Sequence, residues 1–221
     1  MTRFDDHLEI LFSCRACPTV AGLPVSGPAR GAKVMLIGQA PGPHEEESRR
    51  PFAYTAGRRL FGWFDSIGVN EASFRDRVYI AAAIRCFPGR AAAGGDRSPY
   101  PDEIERCGAH LDREIRLLRP ELVVVTGSLA SSIILGTSVL TDLVGRAHRA
   151  ERAGRAFDVV ALPHPSGRST WLNKEENRRL LDASLQLIRV HPAWKLTVAG
   201  EGVRKKPRSS AASPRHRARD G

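Results

Sequence analysis

The chain has 221 residues, enough for one domain with a sizeable core and a tail. No apolar stretch approaches the ~20 residues needed to span a bilayer as a helix, which excludes a helical membrane protein. Lys and Arg number 34 against 24 Asp and Glu, a formal net charge of +10 that favours polyanionic partners, nucleic acid first.

That charge is unevenly spread. Residues 203–221 carry seven Lys/Arg and one Asp, or +6, leaving +4 for the rest, so charge alone supports nucleic acid only modestly. Met1 to Ile10 holds Asp5, Asp6 and Glu9 and lacks the apolar region of a signal peptide. The expected compartment is the bacterial cytosol or nucleoid, where structural disulfides are rare. The four cysteines therefore need another explanation.

In chain order, Phe4 to Phe12 reads as a short helix with Phe4, Leu8 and Leu11 on one side. It runs into Cys14-Arg15-Ala16-Cys17-Pro18, where two thiols at i and i+3 can face one metal. Val34 to Ile37 is an apolar run expected to form a buried strand. It ends in Gly38-Gln39-Ala40-Pro41-Gly42, whose glycines let backbone approach a ligand. An ordinary tight strand-to-helix turn is the plainer reading of that loop, and no Gly-Lys-Ser/Thr follows to make it a phosphate loop. The polar run Pro43 to Arg50 and Pro51-Phe52 lead to a helix from Ala56 to Ile67.

Val78 to Ile84 is a second strand, followed by Arg85-Cys86-Phe87-Pro88-Gly89 and a loop to residue 101. Pro101-Asp102-Glu103 opens a helix bearing Ile104, Cys107, Leu111, Ile115 and Leu118 at helical spacing. Leu122 to Thr126 is a third strand, and Gly127-Ser128 turns it into a short helix through Leu135. Phe157 to Leu162 is a fourth strand, which enters Pro163-His164-Pro165-Ser166-Gly167. The last helix runs from about Lys174 to Val190. Strands alternating with helices predict a three-layer α/β/α sandwich with a central four-stranded, mostly parallel sheet over residues 1–200. Residues 201–221, rich in Lys, Arg, Ser, Ala and Pro, are expected to form a basic disordered tail.

Cys14, Cys17, Cys86 and Cys107 make one Cys-x-x-Cys pair and two singles. Cys86 ends a strand and Cys107 lies early in the next helix, so the intervening loop can bring the thiols together. Four thiolates suit tetrahedral zinc or an iron–sulfur cluster. Four unrelated buried thiols are the bland alternative.

Several of these motifs, in this order, resemble the uracil-DNA glycosylase superfamily, particularly its iron–sulfur branches, the fourth and fifth families. Cys14-Arg15-Ala16-Cys17-Pro18 is similar to their first cluster pair, and Ile84-Arg85-Cys86 with Cys107 to the second. Gly38-Gln39-Ala40-Pro41-Gly42, with Arg50-Pro51-Phe52 and Ala56-Gly57, resembles their first active-site motif. His164-Pro165-Ser166-Gly167-Arg168 resembles the second. The resemblance spans about residues 10 to 190 and implies a structural [4Fe–4S] cluster on Cys14, Cys17, Cys86 and Cys107.

It also implies an activity: excision of uracil from DNA by a monofunctional glycosylase acting on a flipped nucleotide, leaving an abasic site and free uracil. His164 would donate to uracil O2 as the glycosidic bond breaks, with either a neutral or a cationic ring. Gly38, Gln39 and Ala40 would receive the base, with amides of the latter two as donors, and Phe52 would stack on it. Plain core packing is the other reading of Phe52. Ser166 and Ser169 would contact phosphate, and Arg168 would enter the duplex or clamp phosphate unless it is only a solvated surface arginine. The expected enzyme is a monomer acting on uracil-containing DNA, with no membrane partner.

The departures matter. The fourth family carries a carboxylate where Gln39 stands, and the best-known branch an aspartate where Ala40 stands. The usual uracil-reading asparagine falls at about Ala82. The fifth family also lacks these groups, which makes it the closer analogue and predicts broader base tolerance. Among substitutes, His44, Glu45, Glu46 or Glu47 could position water, although three glutamates more often form a solvated helix start. Asn173 reads as a helix N-cap with Glu176 completing a capping box. A covalent-trapping branch carries a basic insertion that Pro43 to Arg59 lacks. The competing class is a uracil- or abasic-site-binding protein with little turnover, favoured by the missing carboxylates.

Overall fold

The computed structural model describes residues 3–199, so the basic tail expected over 201–221 lies outside the described residues. The chain begins with α1 (Arg3–Ser13), β1 (Val34–Gly38), α2 (Glu45–Ser48), α3 (Thr55–Asp65) and α4 (Glu71–Arg77). It continues through β2 (Val78–Ala82), α5 (Pro101–Leu118), β3 (Leu122–Thr126), α6 (Ser128–Leu135) and α7 (Leu140–Leu143). It closes with β4 (Ala147–Arg152), β5 (Arg155–Leu162), a 3-10 turn at Trp171–Asn173, α8 (Glu175–Val190) and α9 (Pro192–Ala199). None of these helices is long and apolar enough to cross a membrane.

One sheet runs in the order β2-β1-β3-β5-β4. The first four are parallel, as expected, and β1, β2 and β3 are buried at every position, as strands covered on both faces must be. The expected count of four strands is corrected to five. β4 pairs antiparallel with β5 through a two-residue turn whose Ala153 and Gly154 both have positive φ, 54° and 69°. Its sequence, Ala-His-Arg-Ala-Glu-Arg, has no apolar run because it is an edge strand with alternating exposure. Charges there discourage edge-to-edge pairing, and they also hide the strand from a search for apolar runs.

Alternation along each buried strand divides the core in two. Met35, Ile37, Tyr79, Val123 and Val125 face α1 and α5, whose Phe4, Leu8, Leu11, Leu111 and Ile115 close one layer. Val34, Leu36, Ile80, Val124 and Val160 face the other, built from Leu60, Phe61 and Phe64 of α3, Phe74 of α4, Leu185 of α8 and Trp194 of α9. The N-cap expected at Asn173 is not formed. Lys174 occupies that position on α8, and the Asn173 carbonyl accepts instead from Arg178 at 3.2 Å.

Strand order decides where a site can sit. β1 is followed in sequence by β2 on one side and flanked by β3 on the other, so the chain reverses direction across the sheet at β1. A crevice opens at such a switch point, beyond the carboxyl ends of the strands.

Candidate active site and cysteine cavity

The glycine loop leaves β1 at that crevice. Its first carbonyls stay tied to the continuation of β2, with Ala83 N–H donating to Gly38 at 2.9 Å and Ile84 N–H to Gln39 at 3.2 Å. The loop after β5 arrives at the same end. There Gly127 N–H donates to Leu162 at 2.9 Å and Thr126 Oγ1–H to the Pro163 carbonyl at 2.9 Å. Together they frame a cleft of about 730 Å3 lined by Gln39, Ala40, Glu45, Phe52, His164, Ser166 and Arg168, and also by Arg90, Asp96 and Arg97.

His164 lines this cleft half-buried, and burial pulls its pKa below the usual imidazole value. Its Nδ1 accepts the backbone N–H of Ser166 at 3.2 Å. A ring nitrogen that accepts carries no proton, so the neutral ring holds its proton on Nε2 as a donor. Gly127 lies beneath it: a Cβ there would stand 3.1 Å from His164 Cδ2, and φ is 86°.

Phe52 is brought to the glycine loop through an unusual turn with φ of 55°. Its ring covers Gly38, where a Cβ would stand 3.0 Å from Cζ, and its flank packs on the α3 side of the core. Ring packing and exposure to the cleft are thus both present. Ala82, where the resemblance expects an asparagine, pairs with Gly38 across β1 and β2, at the strand ends from which the glycine loop departs.

Ser166 and Arg168 line the cleft, and the Arg168 guanidinium rests on Gly95 so closely that a side chain at 95 would collide with it. Ser169 does not line the cleft; its amide donates to the Ser166 carbonyl at 3.2 Å. Arg59, which sequence reasoning passed over, donates to that carbonyl at 3.2 Å as well.

Two further residues are singled out by the fold: Glu45, one of the candidates the sequence offered for positioning water, and Arg75, which it did not mark. Glu45, first of three glutamates, is buried and lines the cleft. Burial raises its pKa to about 7, against the lowering effect of backbone hydrogen bonds to Phe52, Gly42 and Ala53 and of the Arg75 charge. Arg75 on α4 is buried too. Nothing in composition separates either from its exposed neighbours.

The four cysteines, none of them in a disulfide, line a single separate cavity of about 110 Å3. Burial first, then the neighbouring Cys107, Cys14 and Cys17, push the Cys86 thiol up to about 12. Burial also raises the Cys107 thiol, opposed by the Arg85 charge. Among the described residues no three or more His, Cys, Asp or Glu side chains group tightly enough to hold a single metal ion. A four-iron cluster makes a different demand, because each cysteine ligates its own iron and the sulfurs stand farther apart. An all-sulfur donor set in one cavity fits that demand.

The model of the uracil DNA glycosylase superfamily matches residues 24–189, well over half the chain. The chain is 30% identical over 174 residues to a Type-4 uracil-DNA glycosylase of Archaeoglobus fulgidus, covering 75% of this chain and 83% of that protein. It is similar to Type-4 uracil-DNA glycosylases of Sulfurisphaera tokodaii (28% identity, 82% of this chain and 81% of the relative) and Pyrobaculum aerophilum (26%, 72% and 80%). All three carry the name of the fourth family, one of the two that the motifs resemble.

Proposed function

The chain belongs to the uracil DNA glycosylase superfamily and is a hydrolase of the uracil glycosidic bond, and we propose that it acts on uracil flipped out of DNA, releasing free uracil and leaving an abasic site. Breaking the bond puts negative charge on uracil O2. The neutral His164 ring, with its Nε2 proton as donor, stabilises that charge, helped by the backbone of Gly38, Gln39 and Ala40. Phe52 stacks on the base. Ser166, Arg168 and Ser169 hold the DNA backbone from the loop after β5. With Ala82 where the superfamily's uracil-reading asparagine is expected, recognition of uracil loses a side-chain hydrogen bond, and other deaminated bases are accepted more readily.

Cys14, Cys17, Cys86 and Cys107 hold a [4Fe–4S] cluster, which when bound supplies a structural tie and no redox step. The tie joins the end of α1 to the start of the loop after β2. That loop reaches the cleft two residues on, at Pro88. The protein works as a monomer in the cytosol, with residues 1–200 as the catalytic domain and residues 201–221 adding charge toward DNA.

The observation that carries this reading is His164, fixed as a neutral donor on the rim of a cleft shared with Phe52 and the glycine loop. Single-turnover release of uracil from a duplex, measured beside a His164→Ala variant, tests it. Release by wild type that collapses in the variant supports the glycosylase. Tight binding with no released base supports a second reading, a uracil- or abasic-site-binding protein, which the non-ionisable Gln39 and Ala40 favour.

A further inference from the structure

Phe52 supplies the stacking ring in the reading above, on which this inference rests. An aromatic residue rarely adopts its left-handed backbone, which persists only where the surroundings over-determine it. Here the constraint acts on its peptide groups. Arg75 sends one guanidinium nitrogen to the Pro51 carbonyl at 2.8 Å and the other to the Phe52 carbonyl at 3.0 Å. Its Nε–H donates to Glu71 Oε1 at 2.8 Å, which fixes the plane of the fork. On the other side, the backbone of buried Glu45 links the glycine loop to the segment that enters this turn: its N–H donates to the Gly42 carbonyl at 3.3 Å, and its carbonyl accepts from Arg50 N–H at 3.3 Å.

Burying a guanidinium is costly, and it is not needed to fill space in a core already rich in Phe and Trp. What it holds is the turn at residues 51–52. Gly57, in the first turn of α3, completes the seat, since a Cβ there would collide with the Phe52 carbonyl oxygen.

We propose that Arg75 is a positioning residue for the base-stacking ring, holding Phe52 left-handed through the carbonyls of residues 51 and 52 and keeping its ring over Gly38. Because the Glu45 backbone bonds to Gly42 on one side and to Arg50, next to Pro51, on the other, the loop that receives the base and the ring that stacks on it are one mechanical piece. Arg75 reads two carbonyls with one planar fork, a task that a lysine point charge cannot reproduce.

A double-mutant cycle with Phe52→Ala tests this. Uracil release is followed under single turnover, and affinity is measured for a duplex bearing an uncleavable 2′-fluoro-deoxyuridine, with thermal midpoints recorded alongside. Arg75→Met and Arg75→Lys should each lower release and weaken binding by roughly 10- to 100-fold, the range set by one lost base-stacking contact. In the Phe52→Ala background the same changes should cost no more than about twofold. Equal losses with and without Phe52, or an unchanged rate in Arg75→Met, would overturn the proposal. If Arg75→Met does not fold, the half-exposed Glu71→Gln, which frees the plane of the fork, runs the same cycle. A wild type that binds but releases no uracil defeats the glycosylase reading, while the affinity arm still decides this one. A wild type that does neither overturns both.

Discussion

His164 Nδ1 accepts the backbone N–H of Ser166 at 3.2 Å, a bond that only an unprotonated ring nitrogen can make. Burial lowers the pKa of the same ring, so both effects favour a neutral donor. His164→Ala should therefore lose about 10²- to 10³-fold in single-turnover rate, the usual cost of one oxyanion donor. As pH falls, wild-type activity should persist below ~6.5, the ordinary imidazole value, and decline only further down. A rate already halved at that value would contradict a neutral ring.

Gly38 separates ring placement from folding. A Cβ there would stand 3.0 Å from Phe52 Cζ and 3.3 Å from Cε2, so alanine displaces the ring by a few tenths of an ångström without demanding left-handed backbone. Gly38→Ala should slow uracil release about tenfold, within the span of a lost stacking contact, and barely move the thermal midpoint. A large drop in midpoint with unchanged release per folded molecule would reverse that assignment.

Glu45 links stability to pH. Its carboxyl titrates near 4.5 in the unfolded chain and at about 7 when folded. Between those values the folded protein keeps a proton that the unfolded chain has released, so stability falls as pH rises through the window. At 1.36 kcal/mol per unit the loss approaches about 3 kcal/mol. Glu45→Gln should flatten the decline in a series of melts from pH 4.5 to 8, and parallel curves would refute the link.

The cysteine cavity predicts a structural role. Cys86→Ser or Cys107→Ser should lower iron and sulfide content together. It should also drop the melting midpoint by at least about 5 °C, since each kcal/mol moves a domain of this size by about 2–4 °C. Unchanged iron content in both variants would remove the cluster from these residues.

Residues 203–221 carry a net +6. Their deletion should flatten the dependence of log K on log salt for duplex DNA by as much as about 5, at 0.9 per neutralised phosphate, with base release intact. An unchanged slope would exclude tail contact with DNA.

Much of this molecule could be read from its residues in order. Val34–Gly38, Val78–Ala82, Leu122–Thr126 and the apolar end of β5 are continuous apolar runs because strands buried on both faces leave no room for polar alternation. The loops that end β1 and β5 stood out through Gly38, Gly42 and the His164-Pro165-Ser166 run. β4 escaped notice because an edge strand needs no apolar side chains, and Glu45 could not be told from Glu46 and Glu47 because a carboxylate in a run of three looks the same whether it faces water or a cleft.

The sequence by itself determined the parallel α/β core, the two loops that meet at its carboxyl end and the set of four thiols, since each rests on local composition and spacing. Only the tertiary structure decided which glutamate turns inward, which nitrogen of His164 is free of a proton, and how Phe52 is held. Those depend on desolvation and on hydrogen bonds between segments far apart in the chain, such as Arg75 to Pro51 and Phe52. Residue identity alone does not encode that proximity.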